Sequence, residues 1–135
     1  MPDPRVQLPP ACDLTLGVVC TDKATPGRTT WQMRADERFA NPAGTIQGGF
    51  LAALCDSAMG ASSITWARAR GLKVFSANVE MKTSFVKAAR VGSVLTCTAW
   101  VLEGGSRTAF VEAEVVDDDA RLVAKASSTY LLTPR

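Results

Sequence analysis

Two kinds of apolar pattern alternate along the chain and predict its elements. In residues 13–21 and 28–36, apolar and polar residues partly alternate, which is typical of β-strands. The connection DKATPG contains a Pro-Gly pair that favours a turn, so the two segments are predicted to form a hairpin. Residues 47–70 instead consist mostly of good helix formers, and Gly71 is typical of a helix end. A single long helix is predicted there.

Strand patterns return after this helix. Four segments are rich in Val, Thr and aromatic residues and are joined by short connections: 73–86, 93–104, 107–118 and 121–132. Short connections imply antiparallel neighbours. The predicted order is β-β-α-β-β-β-β, which corresponds to an α+β domain with one antiparallel sheet wrapped around one long central helix.

Composition indicates one folded domain and excludes several partners. With 135 residues, 47% hydrophobic and 21% charged, the chain is predicted to form one domain over residues 13–135 after a loose N-terminal arm at 1–12. The net charge of +2, from 15 basic and 13 acidic residues, argues against nucleic-acid binding. No apolar run reaches the roughly 18 residues of a membrane span, and no leader pattern opens the chain. We expect a cytoplasmic protein that binds no membrane.

The absence of histidine excludes several enzyme mechanisms. A Ser-His-Asp or Cys-His enzyme needs an imidazole, and the chain has none. The four cysteines include no C-x-x-C pair, so we expect reduced, mostly buried thiols and no metal site. The acidic run Asp117–Asp119 is interpreted as a hairpin turn because it lacks further metal ligands.

One carboxylate, Asp56, interrupts the small and apolar residues of the predicted helix. Its neighbours at helical offsets are all small: Gly49, Ala52, Ala53, Gly60 and Ser63. The other side, which is expected to pack on the sheet, carries Phe50, Leu51, Leu54, Ala58, Ala61 and Ile64. Two interpretations stay open: a seam of small residues for close packing, or the floor of a pocket with a catalytic carboxylate.

The Gly48-Gly49 pair at the start of the helix favours the pocket. Glycine disfavours helix by about 1 kcal/mol relative to alanine, so two at a helix start suggest that the backbone there must be bare. The first N–H groups of a helix are unpaired and lie at the positive end of its dipole, where they can bind an anion or a developing oxyanion. Close packing alone is the alternative explanation for both glycines.

The stretch NPAGTIQGGFLAALCDSAMG, residues 41–60, resembles the signature of hotdog-fold acyl-CoA thioesterases of the PaaI-like type, in the 4-hydroxybenzoyl-CoA thioesterase superfamily. In that family the helix begins with Asn-x(5)-His-Gly-Gly and carries Asp or Glu nine residues after the His. Here Gln47 stands in place of the His. The segments NVEMKTSFVKAARVG and GGSRTAFVEAEVVDDDARLVAKASSTYLL resemble the strand and the final hairpin that follow, so the likeness covers residues 38–133.

The resemblance implies a role for each matching position. Asp56 would be the nucleophile or the base that activates water. The Gly48 N–H would donate to the oxyanion, with Gly49 beside it in the substrate site. Asn41 would help to position the carbonyl or the water. Asn78 stands where many relatives have a Ser or Thr that contacts the water from across the dimer interface.

Gln47 departs from the family pattern with a chemical consequence. Its amide can donate a hydrogen bond but cannot carry a proton, so it would orient or polarise the substrate without acting as acid or base. Thioester hydrolysis is compatible with this, because a thiolate leaves with little protonic help. Lys87, Arg90 and Arg107 lie in or beside turns and are the candidates for contacting the phosphates of coenzyme A.

We therefore expect a hotdog-fold acyl-CoA thioesterase that releases a carboxylic acid and free coenzyme A. The resemblance implies a homodimer or homotetramer with sites at the interface, and no cofactor, since coenzyme A is part of the substrate. The main alternative is a non-catalytic acyl-CoA-binding or regulatory hotdog protein. A hydratase of the same fold is less favoured, because those relatives pair the carboxylate with His.

Five large side chains can either line the acyl pocket or fill the core: Phe50, Phe75, Phe85, Met59 and Trp66.

Overall fold

The computed structural model describes residues 8–135, which form two α-helices and six β-strands. The helices are α1 (Ala11–Leu16) and α2 (Gly48–Arg68), and a short 3₁₀ turn spans Glu37–Phe39. The strands are β1 (Val19–Asp22), β2 (Arg28–Arg34), β3 (Val74–Phe85), β4 (Val94–Gly104), β5 (Thr108–Val116) and β6 (Leu122–Pro134). The predicted order β-β-α-β-β-β-β is confirmed, with α1 added before it. No helix in this described part is long and apolar enough to cross a bilayer.

The strands form one antiparallel sheet in the order β1-β2-β4-β5-β6-β3. Successive side chains of a strand point to opposite faces, so every second residue of the central strands is buried, as are Leu95, Cys97 and Ala99 of β4. These residues join the buried face of α2 in one hydrophobic core. The sheet wrapped around a long helix is the predicted hotdog architecture.

The buried face of α2 is rotated from the face that the sequence predicts. Its buried residues are Leu51, Leu54, Cys55, Ala58, Met59, Ser62, Ser63, Trp66 and Ala67. At 100° per residue this arc is centred near Cys55, so Ala61 and Ile64 lie at or beyond its edge and are only partly buried. Ser63, predicted beside Asp56, lies inside the arc, where its hydroxyl is 2.7 Å from the Ser76 hydroxyl.

The N-terminal region differs from the predicted strand at 13–21. The structure has α1 there, followed by the four-residue strand β1. Gly17 ends α1 in the left-handed conformation, with φ of 74°, and its N–H donates to the Asp13 carbonyl at 2.9 Å. The partial alternation of this segment therefore concealed a helix end. Of the predicted arm, residues 1–7 lie outside the described residues, while Ala11 and Cys12 belong to α1.

The four cysteines are free thiols, but only two are buried as predicted. Cys55 of α2 and Cys97 of β4 are both fully buried in the core. A hydrogen bond with Cys55, followed by burial, raises the pKa of the Cys97 thiol well above its usual value. Cys12 is exposed and Cys20 is partly exposed.

The acidic run between β5 and β6 forms the predicted turn. Oδ1 of Asp117 accepts hydrogen bonds from the N–H groups of Asp119 and Arg121, each at 3.0 Å, and Oδ2 pairs with the Arg121 guanidinium at 2.8 Å. The neighbouring Asp118 accepts from the Val94 N–H at 2.9 Å. Among residues 8–135, no three His, Cys, Asp or Glu side chains are grouped as metal ligands would be.

We predict that Asp117→Asn lowers the melting temperature at neutral pH and that this effect fades in acid. The backbone N–H of Arg121, with smaller contributions from the Arg121 side chain and Asp119, holds the pKa of Asp117 below its ordinary value. Because its pKa is lower in the folded state, the ionised Asp117 stabilises the fold at pH values above its unfolded-state pKa of about 3.9. This stabilisation is lost as the pH falls through the pKa that Asp117 has in the folded state. The melting temperatures of the variant and the wild type are measured by circular dichroism at a series of pH values from neutral to acid. A difference in melting temperature between variant and wild type that is the same at every pH would contradict the prediction.

Candidate active site

Two cavities open beside α2. The larger, named here the Asp56 cavity, has a volume of about 700 Å³ and lies between the middle of α2, α1 and the strands β1, β3 and β6. The smaller, named the Gly48 cavity, has a volume of about 390 Å³ and lies at the first turn of α2, against the end of β3. The predicted site residues are divided between these two cavities.

The carboxylate of Asp56 faces the first cavity and is held from one side. Its Oδ1 accepts a hydrogen bond from the Tyr130 hydroxyl at 2.5 Å and another from the Asn78 amide at 3.0 Å. The Tyr130 hydroxyl also lies 3.0 Å from the main-chain carbonyl of Asp56. No donor from the described residues reaches Oδ2, and Asp56 is exposed, so Oδ2 is free to meet a substrate or a water.

Tyr130 is the site residue that the sequence analysis missed. It lies on β6, where residues 126, 128, 130 and 132 alternate into the buried face, and it is 74 residues from Asp56. Burial, and after it the hydrogen bond and charge of Asp56, raise the pKa of its phenol far above the ordinary value. The hydroxyl therefore stays protonated and donates. The alternation of buried and exposed residues along β6 predicts that Tyr130 points into the core, but no pattern in the sequence predicts its contact with Asp56.

Asn78 reaches Asp56 of its own chain, whereas the resemblance implied a contact across a dimer interface. It lies on β3 at a bulge in the pairing with β6, between residues 78 and 80. Its amide nitrogen is also 3.2 Å from the Ser128 hydroxyl and 3.3 Å from that of Tyr130. Its Oδ1 is buried and has no hydrogen-bond partner. The amide thus acts mainly as a donor to the cluster around Asp56.

The walls of the Asp56 cavity are mostly apolar and come largely from the N-terminal region. They include Leu8, Pro9, Leu14, Val18, Trp31 and Ile64. None of the five large side chains considered in the sequence analysis lines this cavity. Met59 and Trp66 belong to the core, Phe50 stacks on Phe39 at 4.3 Å between ring centroids, and Phe85 lines the Gly48 cavity.

The Gly48 cavity contains the unpaired start of α2. The N–H of Phe50 bonds to the carbonyl of Gln47 at 3.0 Å, and no acceptor among the described residues takes the N–H of Gly48 or Gly49. A Cβ added at Gly48 would lie 2.8 Å from the ring of Phe85, whereas one at Gly49 would meet only the Gln47 side chain, at 3.9 Å. Close packing therefore accounts for Gly48 as a glycine, and its N–H remains an available donor.

Asn41 and Gln47 flank this helix start in different ways. Oδ1 of Asn41 accepts from the N–H groups of Ala43 and Thr45, at 3.0 and 3.1 Å, and its amide donates to the Thr45 hydroxyl at 3.1 Å. Asn41 therefore holds the loop before α2 and also lines the Gly48 cavity. The Gln47 side chain makes no capping hydrogen bond and is exposed, so its amide is free for a ligand.

The two halves of the predicted site do not meet within one chain. Gly48 and Asp56 are eight positions apart on one helix, which corresponds to about 12 Å along the axis. One thioester group cannot contact both groups of the same helix. Lys87 lines the Gly48 cavity, and Arg90 forms a β-bridge with Thr45 in the loop before α2.

Arg107 lies far from the other two basic residues. Its carbonyl accepts from the N–H of Leu132 at 2.7 Å, whereas the N–H of Lys87 bonds to the carbonyl of Val123 at 3.2 Å. These positions are nine residues apart on β6, so they lie about 30 Å apart at opposite ends of the sheet.

Comparisons with known proteins identify the family and the fold of the chain. The family model of the thioesterase superfamily matches residues 43–124. The chain is similar to human acyl-coenzyme A thioesterase 13, with 28% identity over 116 residues, covering 84% of this chain and 79% of the human protein. Its structure is similar to PaaI from the phenylacetic acid degradation operon of Escherichia coli, with a TM-score of 0.82 and 21% identity over 91% of this chain and 84% of PaaI. It is also similar to a thioesterase protein of Streptococcus pneumoniae with coenzyme A, with a TM-score of 0.78, 21% identity and 87% of each chain covered.

The chain contains a single tyrosine, so ultraviolet absorbance reports the ionisation of Tyr130 alone. We predict that the folded protein shows no phenolate absorbance as the pH rises through about 10, whereas the protein in denaturant titrates normally. In Asp56→Asn the pKa of Tyr130 should fall but stay above the ordinary value, because burial is the larger cause of the shift. Circular dichroism verifies that the fold persists. Folded protein that titrates near pH 10 would show that the phenol is not held as described.

Proposed function

Because the chain belongs to the thioesterase superfamily and is a thioester hydrolase, we propose that it hydrolyses acyl-CoA with Asp56 as its catalytic carboxylate. The observation that carries this proposal is the set of contacts around that residue. Two donors, Tyr130 and Asn78, hold one carboxylate oxygen, while the other opens into an apolar cavity large enough for an acyl group.

Asp56 would act through its free oxygen, Oδ2. It either attacks the thioester carbonyl carbon or takes a proton from the water that attacks it. In both cases the carbonyl oxygen becomes negative, the C–S bond breaks, and water supplies the oxygen of the acid and the proton that neutralises the thiolate. Tyr130 and Asn78 act as positioning residues, because their hydrogen bonds to Oδ1 hold the carboxylate in place.

The Gly48 N–H is the proposed oxyanion donor, and a second copy of the chain must supply it. Eight helical positions separate Gly48 from Asp56, so the Asp56 of one chain would face the Gly48 of another. The strand β3 fits such pairing, because it is a 12-residue edge strand next to both cavities. Its side chains Val79 and Phe85 are 57% and 54% exposed. A homodimer is therefore the smallest complete unit, and a homotetramer would pair two of them.

The coenzyme A moiety of the substrate is proposed to lie at the Gly48 cavity. Lys87 and Arg90 carry the nearby positive charges for its phosphates, whereas Arg107 lies about 30 Å from Lys87 in the same chain. The free amide of Gln47 is placed to orient the thioester beside the helix start. The similar protein from Streptococcus pneumoniae was solved with coenzyme A, which supports this choice of substrate. The proposed reaction uses only water and protein groups.

We predict that Asp56→Asn lowers kcat for acyl-CoA by roughly 10²- to 10⁴-fold, the usual contribution of a positioned acid or base. Asparagine keeps an oxygen for Tyr130 but loses the charge and basicity of Oδ2. The assay follows coenzyme A release by chromatography over short, medium, long and aryl acyl chains, because the four thiols of the protein would react with a thiol reagent.

Glu103→Gln is the matched control, since it makes the same chemical change at an exposed carboxylate that lines neither cavity. It should retain wild-type activity. Equal turnover of Asp56→Asn and wild type would contradict the role of Asp56. Wild-type protein that binds acyl-CoA but hydrolyses none would instead identify a non-catalytic binding protein.

We predict that Gly48→Pro lowers kcat by roughly 10²- to 10³-fold while Gly48→Ala retains most activity, because only proline removes the N–H donor. Proline is tolerated at the first helical position, and Gln47, with φ of −59° and ψ of 135°, already has a conformation compatible with a following proline. Both substitutions add a Cβ that crowds Phe85, so the alanine variant controls for this contact.

The same variants test whether the site is shared between chains. In a 1:1 mixture of Asp56→Asn and Gly48→Pro, half of the randomly formed dimers are mixed, and each mixed dimer has one intact site. Roughly a quarter of wild-type activity should therefore return. If each chain contained a complete site, mixing would restore no activity, and the shared-site proposal would be wrong.

A further inference from the structure

A second carboxylate faces the Asp56 cavity and has no place in the proposed chemistry. Asp13 lies on α1, lines the cavity, and is only 6% exposed. The cavity is mostly apolar, and its lining includes Leu14, Val18 and Ile64. A carboxylate is costly to bury unless donors satisfy its oxygens, so its hydrogen bonds decide what it does.

Those hydrogen bonds satisfy only one of its two oxygens. Oδ1 accepts from the hydroxyl of Ser57, the residue after Asp56, at 2.9 Å. The Cys12 thiol, a weak donor, is 3.7 Å from the same oxygen. No donor among residues 8–135 reaches Oδ2. Asp13 therefore presents an unmatched acceptor to the cavity, beside Ser57, the residue that follows the catalytic carboxylate on α2.

This arrangement has a consequence for any acyl group that enters the cavity. Water can satisfy Oδ2 while the cavity is empty, but an acyl group that fills the cavity displaces this water. A purely hydrocarbon acyl group then covers Oδ2 and leaves it without a donor, which is unfavourable. An acyl group with a hydroxyl group near Asp13 replaces the lost hydrogen bond.

We propose that Asp13 is a specificity-determining residue that selects acyl groups bearing a hydrogen-bond donor, namely hydroxylated acyl-CoA. The proposal rests on the acyl-CoA hydrolysis proposed above. A carboxylate only accepts hydrogen bonds, so Asp13 recognises a hydroxyl as a donor. A site that hydrogen-bonds a substrate hydroxyl strongly rejects analogues without the hydroxyl. An apolar pocket rejects a hydroxylated analogue much more weakly.

The test compares octanoyl-CoA with its derivatives hydroxylated at successive carbons, and phenylpropanoyl-CoA with its ring-hydroxylated derivatives. In each pair the only difference is the hydroxyl group. Wild-type protein should hydrolyse the best hydroxylated ester with a kcat/KM roughly 10- to 100-fold above that of its parent, as expected for a hydrogen bond to a charged group. If every derivative in both series stays within about twofold of its parent, the proposal is wrong.

Two substitutions of Asp13 test whether this residue causes the preference for hydroxylated esters. Asp13→Leu has a similar shape and no acceptor, so it should abolish the preference and improve hydrolysis of the unsubstituted ester. Asp13→Asn retains an oxygen for Ser57 and exchanges the charge for an amide, so it should reduce the preference without abolishing it. The asparagine variant keeps the test valid if the leucine variant fails to fold. A preference that is unchanged in Asp13→Asn would overturn the proposal.

Ser57→Ala is the control for a purely structural role of Asp13. It removes the hydrogen bond that joins α1 to α2 but leaves Asp13 in the cavity. A preference that persists in Ser57→Ala shows recognition by Asp13 itself. A preference that falls equally in Ser57→Ala and Asp13→Asn shows that Asp13 only anchors α1, and contradicts the proposal.

Binding measurements separate this proposal from the proposed hydrolysis. If wild type hydrolyses none of the esters, the thioesterase proposal fails, and calorimetry with the same pairs still reports whether hydroxylated esters bind more tightly. Equal dissociation constants within each pair would then overturn the role of Asp13. Hydrolysis without any hydroxyl preference would overturn the role of Asp13 and leave the thioesterase proposal intact.

Discussion

The packing of α2 on one face of a single antiparallel sheet is the constraint on which the rest of the structure depends. A helix can bury only one arc against a sheet, and here that arc is centred near Cys55 and filled by the core. Within residues 8–135 no second sheet layer covers the opposite arc. Gly60 lies on that arc and Asp56 at its border, α1 covers part of it, and the Asp56 cavity lies in the space that remains.

The rigidity of α2 also explains why the site is divided. A straight helix separates its first N–H groups from a residue eight positions later by about two turns, so the anion-binding start and the carboxylate cannot converge within one chain. The edge strand β3 offers the complementary feature, since it has unpaired backbone groups and exposed apolar side chains beside both cavities. The proposed two-copy site combines these features, because a second helix can bring its first turn to the carboxylate of the first.

Buried polar contacts then determine how each carboxylate can act. Tyr130 and Asn78 reach Asp56 from the sheet and occupy one of its oxygens, which orients the other toward the cavity. Ser57 does the same for Asp13 from α2. In both cases one oxygen is held by the protein and one is open to a ligand. Because the cavity walls are mostly apolar, each hydrogen bond counts for more there than it would in water.

The sequence by itself determined the succession of strands and long helix along the chain, but not the order of strands within the sheet, because apolar periodicity and turn residues are local signals. It also pointed to Asp56 and to the Gly48-Gly49 pair, since a charge or a pair of glycines stands out within a helical pattern. It did not reveal α1, whose short helical segment ends at Gly17 within a partly alternating stretch. Only the tertiary structure decided which residues meet: Tyr130 with Asp56 across 74 positions, Asp13 with Ser57 across 44, and Arg107 at the opposite end of the sheet from Lys87. The reason is physical, because the rotation of α2 on the sheet and the strand order set these contacts, and neither leaves a local trace in the chain.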